Sequence, residues 1–301
     1  MDTFEKVPRG MPFIASVNLK DSSITFVDAE TNSREMSWQF YEPISGACLL
    51  PDQDHLAVYG KEMDAIHIFS LSEGKQTDIW PTGEGIVNMS LLKGGNRLVL
   101  VDQTHDEIRL YSLDGKEINA KKVGNQPNSV LEYDGKLYVS NFYDTKLSVL
   151  DSRTLQNFPA IGVEKYSSGM AIEPGGRNLW VGGHGAGSEL EQNVHIYSLA
   201  TGKLVARQNA PTMPVKILTI KDSIFIISHG NSTIYKWEAS DKSVQALKVG
   251  VNPFEIGTYR EMIVVASYDN NRMYMLNSES IRIQKTIKTG KGPFQVVVRE
   301  S

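Results

Sequence analysis

The chain has 301 residues, 41% hydrophobic and 22% charged, with 31 Lys and Arg against 35 Asp and Glu, for a formal net charge of −4. This composition belongs to a folded globular protein and excludes a disordered, collagen-like or coiled-coil chain. The one cysteine, Cys48, excludes an intramolecular disulfide and any cysteine-built zinc or iron–sulfur centre, and the mild acidity gives no general attraction to nucleic acid or to an anionic membrane.

No run of 18 apolar residues occurs, so no transmembrane helix is expected. Met1 to Arg9 is polar and charged, without an apolar leader region. The chain as written reads as cytoplasmic, or as the periplasmic or extracellular part of a protein whose leader has been removed.

Along the chain one short pattern recurs: an apolar residue, alternating side chains, then a small polar or acidic residue before a turn. It reads Ile24–Asp28, Ile66–Ser70, Ile108–Ser112, Leu147–Asp151, Val194–Ser198, Ile234–Glu238 and Met273–Asn277. The last positions fall at 28, 70, 112, 151, 198, 238 and 277, a mean spacing of 41.5. Periods in this range mark repeat architectures.

Each copy carries the same neighbours in the same order. A Gly or Pro turn comes first, as in Gly124-Asn125-Gln126-Pro127, Gly250-Val251-Asn252-Pro253 and Gly290-Lys291-Gly292-Pro293. An apolar strand follows, then a Pro/Asp/Gly turn such as Pro174-Gly175-Gly176-Arg177, then a second apolar strand. The anchor pattern is the third strand, and a more polar fourth strand leads into the next copy. Four short antiparallel strands in about 41 residues make one propeller blade. The expected fold is all-β: one domain over residues 1–301, a seven-bladed ring with almost no helix.

The first copy lacks its leading strand. After the seventh anchor come a fourth strand, Arg282 to Lys288, and then a surplus inner strand, Phe294 to Val298. That surplus strand is expected to take the innermost place of the first blade and remove the free edge.

The Gly-x-x-Pro turns, Tyr138-Val139-Ser140-Asn141 and Leu147-Ser148-Val149-Leu150-Asp151 resemble the YVTN/YncE-like β-propeller proteins, a repeat of the WD40 kind, over residues 12 to 298. Ala57-Val58-Tyr59-Gly60 and Trp180-Val181-Gly182-Gly183 depart from that pattern. The resemblance implies the fold. It leaves activity open, because the superfamily includes binding and scaffold proteins, lactonases, a streptogramin lyase and subunits of cofactor enzymes.

Candidate site residues follow from the ring. The ends of second strands share one level, which collects Asn18, Gly60, Asp102, Asn141, Ser228 and Ser267. His105, His184 and His229 each follow a second strand on that rim, as do Tyr143, Tyr268 and Asp269. The ligand-binding candidates are therefore Asn18, Asp102, His105, Asn141, Tyr143, His184 and Tyr268. His229 and Asp269 follow second strands of adjacent blades, and are expected side by side as a catalytic or metal-binding pair. A longer loop, Gly182 to Asn193, is expected on the same rim. Its glycines are not a phosphate loop, since no Gly-Lys-Ser/Thr follows.

The resemblance to streptogramin lyase is incomplete: that enzyme's two histidines and glutamate would fall on His229, Asp269 and Asn271, so one of three is kept. No cofactor motif and no nucleophile turn appear. The reading is a non-catalytic propeller that binds a protein, peptide or small molecule at the channel rim. It is expected to be a monomer without cofactor, nucleic-acid partner or membrane insertion. The alternative is a metal-assisted hydrolase or lyase using a divalent ion in the central funnel.

Overall fold

A computed structural model describes residues 3–31 and 35–300. They form seven four-stranded antiparallel sheets. All seven anchor patterns are third strands, from Ser23–Asp28 in blade one to Arg272–Asn277 in blade seven. The second strands include Phe13–Asn18, Arg97–Asp102, Lys136–Asn141, Ser223–Ser228 and Met262–Ser267. The helical content among the described residues is one 3₁₀ turn, His229–Asn231.

The inner strands are continuously apolar because both of their faces are covered. Leu98 and Leu100 pack with blade two, while Val99 and Val101 pack with blade four. Ile224 and Ile226 likewise join the cluster with blade five, and Phe225 and Ile227 the cluster with blade seven. Successive strand residues point to opposite faces, so each blade feeds two cores. Seven hydrophobic clusters result, one at each blade interface. Each fully buried Leu, Ile or Phe contributes about 1.5–3 kcal/mol. Fourth strands such as Glu117–Lys122 and Asn157–Gly162 line the outside and stay largely exposed.

The ring closes as the counting predicts. Pro293–Arg299 pairs antiparallel with Phe13–Asn18, with Ile14 opposite Val298 and Ser16 opposite Val296. Arg299 locks this joint. Its buried guanidinium donates to the carbonyls of Met11 (2.9 Å), Gln53 (2.9 Å) and Pro8 (2.5 Å), and lies 4.7 Å from the centre of the Phe13 ring. One side chain thus ties the last strand to the N-terminal segment and to blade two. The N-terminal segment seals the same interface: Phe4 stacks on Trp38 at 4.8 Å, and the Phe4 and Val7 amides donate to the carbonyls of Gly74 and Leu71.

The repeated Gly-x-x-Pro turn has a steric reason. A Cβ at Gly124 would strike the Asn141 and Asp144 side chains, one at Gly250 the Ser267 side chain, and one at Gly290 the Ser23 and Asn18 side chains. At these three turns the crossover into the next blade passes directly over the polar residue that ends a second strand, or the first residue of the adjoining third strand.

Candidate functional site

The rim that carries the loops after the second strands holds two different sets of polar residues. The first set ends the second strands and is buried: Asn18 and Asp102 at 0% exposure, Asn141 at 1%. Asn18 Nδ2 donates to Ser23 Oγ (3.0 Å) and Thr25 Oγ1 (3.1 Å), and Asn141 Nδ2 to the Lys146 carbonyl (2.8 Å) and Ser148 Oγ (3.0 Å). Asp102 accepts the His105 amide (2.9 Å), pairs with His105 Nδ1 (2.9 Å) and takes a hydrogen bond from Arg109 Nη1 (3.2 Å). These groups fasten loops to third strands. His105 lies with Asp102 in blade three and joins none of the ring contacts described next.

The second set stands on top. Tyr143 meets Phe142 at 5.3 Å, Phe142 meets His184 at 5.3 Å, and His184 meets His229 at 5.1 Å between ring centres. His229 continues to Phe254 at 4.6 Å, and Phe254 to Phe294 at 5.3 Å and Tyr268 at 5.5 Å. Tyr166 packs edge-on against Phe142 at 5.3 Å. This unbroken arc of rings crosses blades four, five, six, seven and one. Tyr143 and Phe294 are 47% and 37% exposed, and the intervening rings are half-buried. The long loop of blade five sits on this rim, as its position predicts: it forms a two-stranded ribbon, Gly185–Ala186 with Glu189–Leu190, directly after His184.

His229 and Asp269 are not in direct contact. The Asn252 amide stands between them, with its Oδ1 2.7 Å from His229 Nδ1 and its Nδ2 donating to Asp269 Oδ2 at 3.0 Å. Asp269 Oδ1 in turn accepts from Lys20 Nζ at 2.8 Å. The chain of bonds has a direction. Asp269 can only accept, so Asn252 must turn its NH₂ to it and its carbonyl to His229. His229 therefore carries its proton on Nδ1 and its lone pair on Nε2, which is buried without a partner. His184 Nδ1 is buried without a partner as well.

Electrostatics follow from this packing. Burial pushes the His184 imidazole down to about 4, reinforced by neighbouring His229. Burial also lowers His229, opposed by its bond to Asn252. Both rings are neutral at pH 7. The bonds from Lys20 and Asn252 hold Asp269 below the usual carboxylate range.

Sequence reasoning missed Phe254, Phe294, Asn252 and Lys20. A signal for two of them was present: each follows the proline of a Gly-x-x-Pro turn, Pro253-Phe254 and Pro293-Phe294, and so begins an innermost strand at rim level.

Among the described residues no group of three or more His, Cys, Asp or Glu is arranged to hold a metal ion, and no helix is long and apolar enough to cross a membrane. An open hollow of about 750 Å³ lies on the opposite face between blades three and four, with Lys93, Arg97 and Arg153 mixed among Glu132 and Asp134.

No family model matches the chain, and no curated protein does. Solved structures do. The chain covers 96% of its own length and 99% of a protein of unknown function from Desulfotomaculum acetoxidans, with a TM-score of 0.77 and 9% identity. Kuenenia stuttgartiensis hydrazine synthase gives 0.71 at 13% identity, over 86% of this chain and 95% of that one. The dihydro-heme d1 dehydrogenase NirN gives 0.65 at 10% identity, over 99% and 77%. The fold is a seven-bladed β-propeller. At these identities the likeness carries the fold and nothing about chemistry.

Proposed function

We propose that this chain is a non-catalytic propeller of the YVTN/YncE-like kind whose ring-lined rim binds a protein, peptide or small molecule. The observation that carries the reading is the arc: rings from five blades, brought together only by ring closure, with Tyr143 and Phe294 left exposed at its ends. Aromatic side chains supply large contact area at low entropic cost, and they are enriched where proteins bind. The hollow on the opposite face offers less, because its charges are mixed and Glu132 already accepts the Lys93 amide.

The metal-assisted alternative draws on the two neutral imidazoles with an unpartnered nitrogen each. Two nitrogens are a weak set, since catalytic zinc sites take three protein ligands.

The test is a ligand-observed NMR screen of amino acids, dipeptides and metabolites, repeated on Tyr143→Ala/Phe294→Ala. Hits lost in the double variant support the rim. Hits that persist there, or that need added zinc and turn over a lactone, favour the other readings.

A further inference from the structure

The loops of the face that holds the arc are acidic. Its fourteen loops, seven after the second strands and seven between blades, carry eleven Asp or Glu against four Lys and no Arg. The described loops and terminal segments of the opposite face carry thirteen acids against eleven Lys and Arg. The whole chain is only −4. The strand ends that reach the same face add Asp102 and Glu107 against Lys122, Lys146, Lys248, Arg272 and Lys288, so the excess of acid there is carried by the loops themselves.

Acid beside aromatic is the chemistry that recognises organic cations, because a ring face attracts an ammonium or guanidinium group and a carboxylate neutralises it. The rim already does this with its own side chains. Lys20 Nζ lies 4.4 Å from the centre of the Tyr268 ring while bonded to Asp269 at 2.8 Å, and Lys165 Nζ lies 5.3 Å from the centre of the Tyr166 ring. Other carboxylates on the arc side have no such counter-charge. Asp144, Glu164 and Glu189 form no ion pair among the described residues, and Glu164 and Glu189 are exposed. They flank Tyr143, Tyr166 and the blade-five ribbon.

We infer that this rim docks a Lys- or Arg-bearing polypeptide segment, whose cationic groups sit on the exposed rings and pair with Asp144, Glu164 and Glu189. This rests on the rim-binding reading above and names its partner. Length favours a polypeptide over a single small cation. From Tyr143 through Phe142, His184, His229 and Phe254 to Phe294 the arc advances 4.6–5.3 Å per ring. That path of about 26 Å matches roughly eight residues of extended chain at ~3.3 Å each. The sign of the charge disfavours nucleic acid and anionic lipid.

The experiment uses fluorescein-labelled peptides of alternating lysine and glycine, alternating glutamate and glycine, and alternating phenylalanine and glycine, read by anisotropy on the full chain. The lysine peptide should bind, with affinity falling as salt rises. Tyr143→Ala/Phe294→Ala should weaken it about tenfold through two lost ring faces. Glu164→Gln/Glu189→Gln should weaken it several-fold, about as two exposed charge pairs allow. Asp241→Asn/Glu261→Gln on the opposite face should leave it unchanged, and unaltered thermal melts show that each variant is folded. If the glutamate or phenylalanine peptide binds in a ring-dependent way and the lysine peptide does not, the rim remains a binding surface and the cationic partner is wrong. If the lysine peptide binds equally to the ring-deleted variant, or loses as much affinity on the opposite-face change, the attraction is general acidity and both claims fall. If no peptide binds, the polypeptide partner is refuted, and the small-molecule form of the rim reading is left to its own screen.

Discussion

Two aromatic groups stand in this ring, and they are built to different ends. Between blades one and two, Phe4, Phe13, Phe26, Trp38 and Phe69 pack together, with Trp38 and the Phe13 and Phe26 rings at 0% exposure. The polar edge of that group is satisfied, since Trp38 Nε1 donates to the Glu5 carbonyl at 2.8 Å. The rim arc has similar ring spacings but is half-open. It contains two neutral histidines with unpartnered nitrogens, and Asp144, Glu164 and Glu189, which form no ion pair among the described residues, flank one end of it. One group closes the ring. The other stands on the rim, half-open to solvent, with Phe254 alone of its rings packed on a blade core.

Breaking the closure should have the largest effect. Removing Pro293–Arg299 takes away the innermost strand of blade one and the Arg299 clamp, and leaves Phe13–Asn18 as a bare edge. The truncated chain should lose its cooperative melt and aggregate. A truncated protein with a near-normal transition in calorimetry would show that the joint is dispensable.

Next comes Trp38→Ala. It empties a fully buried site touched by Phe4, Phe26 and Phe69, so chemical denaturation should report a loss of about 3–5 kcal/mol. Tyr143→Ala on the arc should cost under about 1 kcal/mol, because its ring is 47% exposed. Equal losses at the two sites would erase the distinction between seal and rim.

The arc should show itself in acid. Burial holds the folded His184 imidazole at about 4, against the ordinary histidine value of 6.5. Its folded-state value is lowered, so the neutral form belongs to the fold. The stabilisation is complete above pH 6.5 and is lost as pH falls from there through about 4. Its size is roughly 2–3 kcal/mol, after allowance for the ring's partial exposure. His184→Phe keeps an aromatic ring and removes the proton. Its melting temperature should fall less than that of the wild type between pH 7 and pH 4, and an identical fall would mean that His184 is not held neutral.

These contrasts also explain what could be read in advance. The fold was legible because each blade repeats one alternation of strand and turn, and a 41.5-residue mean spacing survives loop variation. Even the closing strand followed from residues left over at the C-terminus. The rim was legible in part. His184, His229, Tyr143, Tyr268 and Asp269 all follow second strands, and counting along the repeat finds that level. Asn18, Asp102 and Asn141 share it in sequence yet point inward, because the first residue after the strand rises to the surface while the last residue within it faces the third strand. Lys20 and Asn252 were invisible for another reason. Their roles arise from contacts between blades, 249 residues apart for Lys20 and Asp269 and 23 for His229 and Asn252. No local pattern encodes such contacts.

A smaller expected effect is the most specific to the arc. Lys20, Asp269 and Asn252 form a relay of exposed or half-buried groups, so loss of its bonds costs little, but Asn252 has a φ of 54°, where leucine is strained, and Asn252→Leu should destabilise by about 1–2 kcal/mol. Its second effect should be on a proton. In the wild type the amide accepts from His229 Nδ1, which fixes the Nδ1–H tautomer and leaves Nε2 as the acceptor. Long-range ¹H–¹⁵N spectra of the histidine ring at pH 7 should show that single tautomer. In Asn252→Leu the hydrogen bond is gone and the tautomers should mix. In Lys20→Met the carboxylate remains to orient the amide, so the wild-type pattern should persist. If His229 of the wild type instead carries its proton on Nε2, the amide is turned the other way. Asp269 would then face a carbonyl, and the directed relay from Lys20 to His229 would not exist.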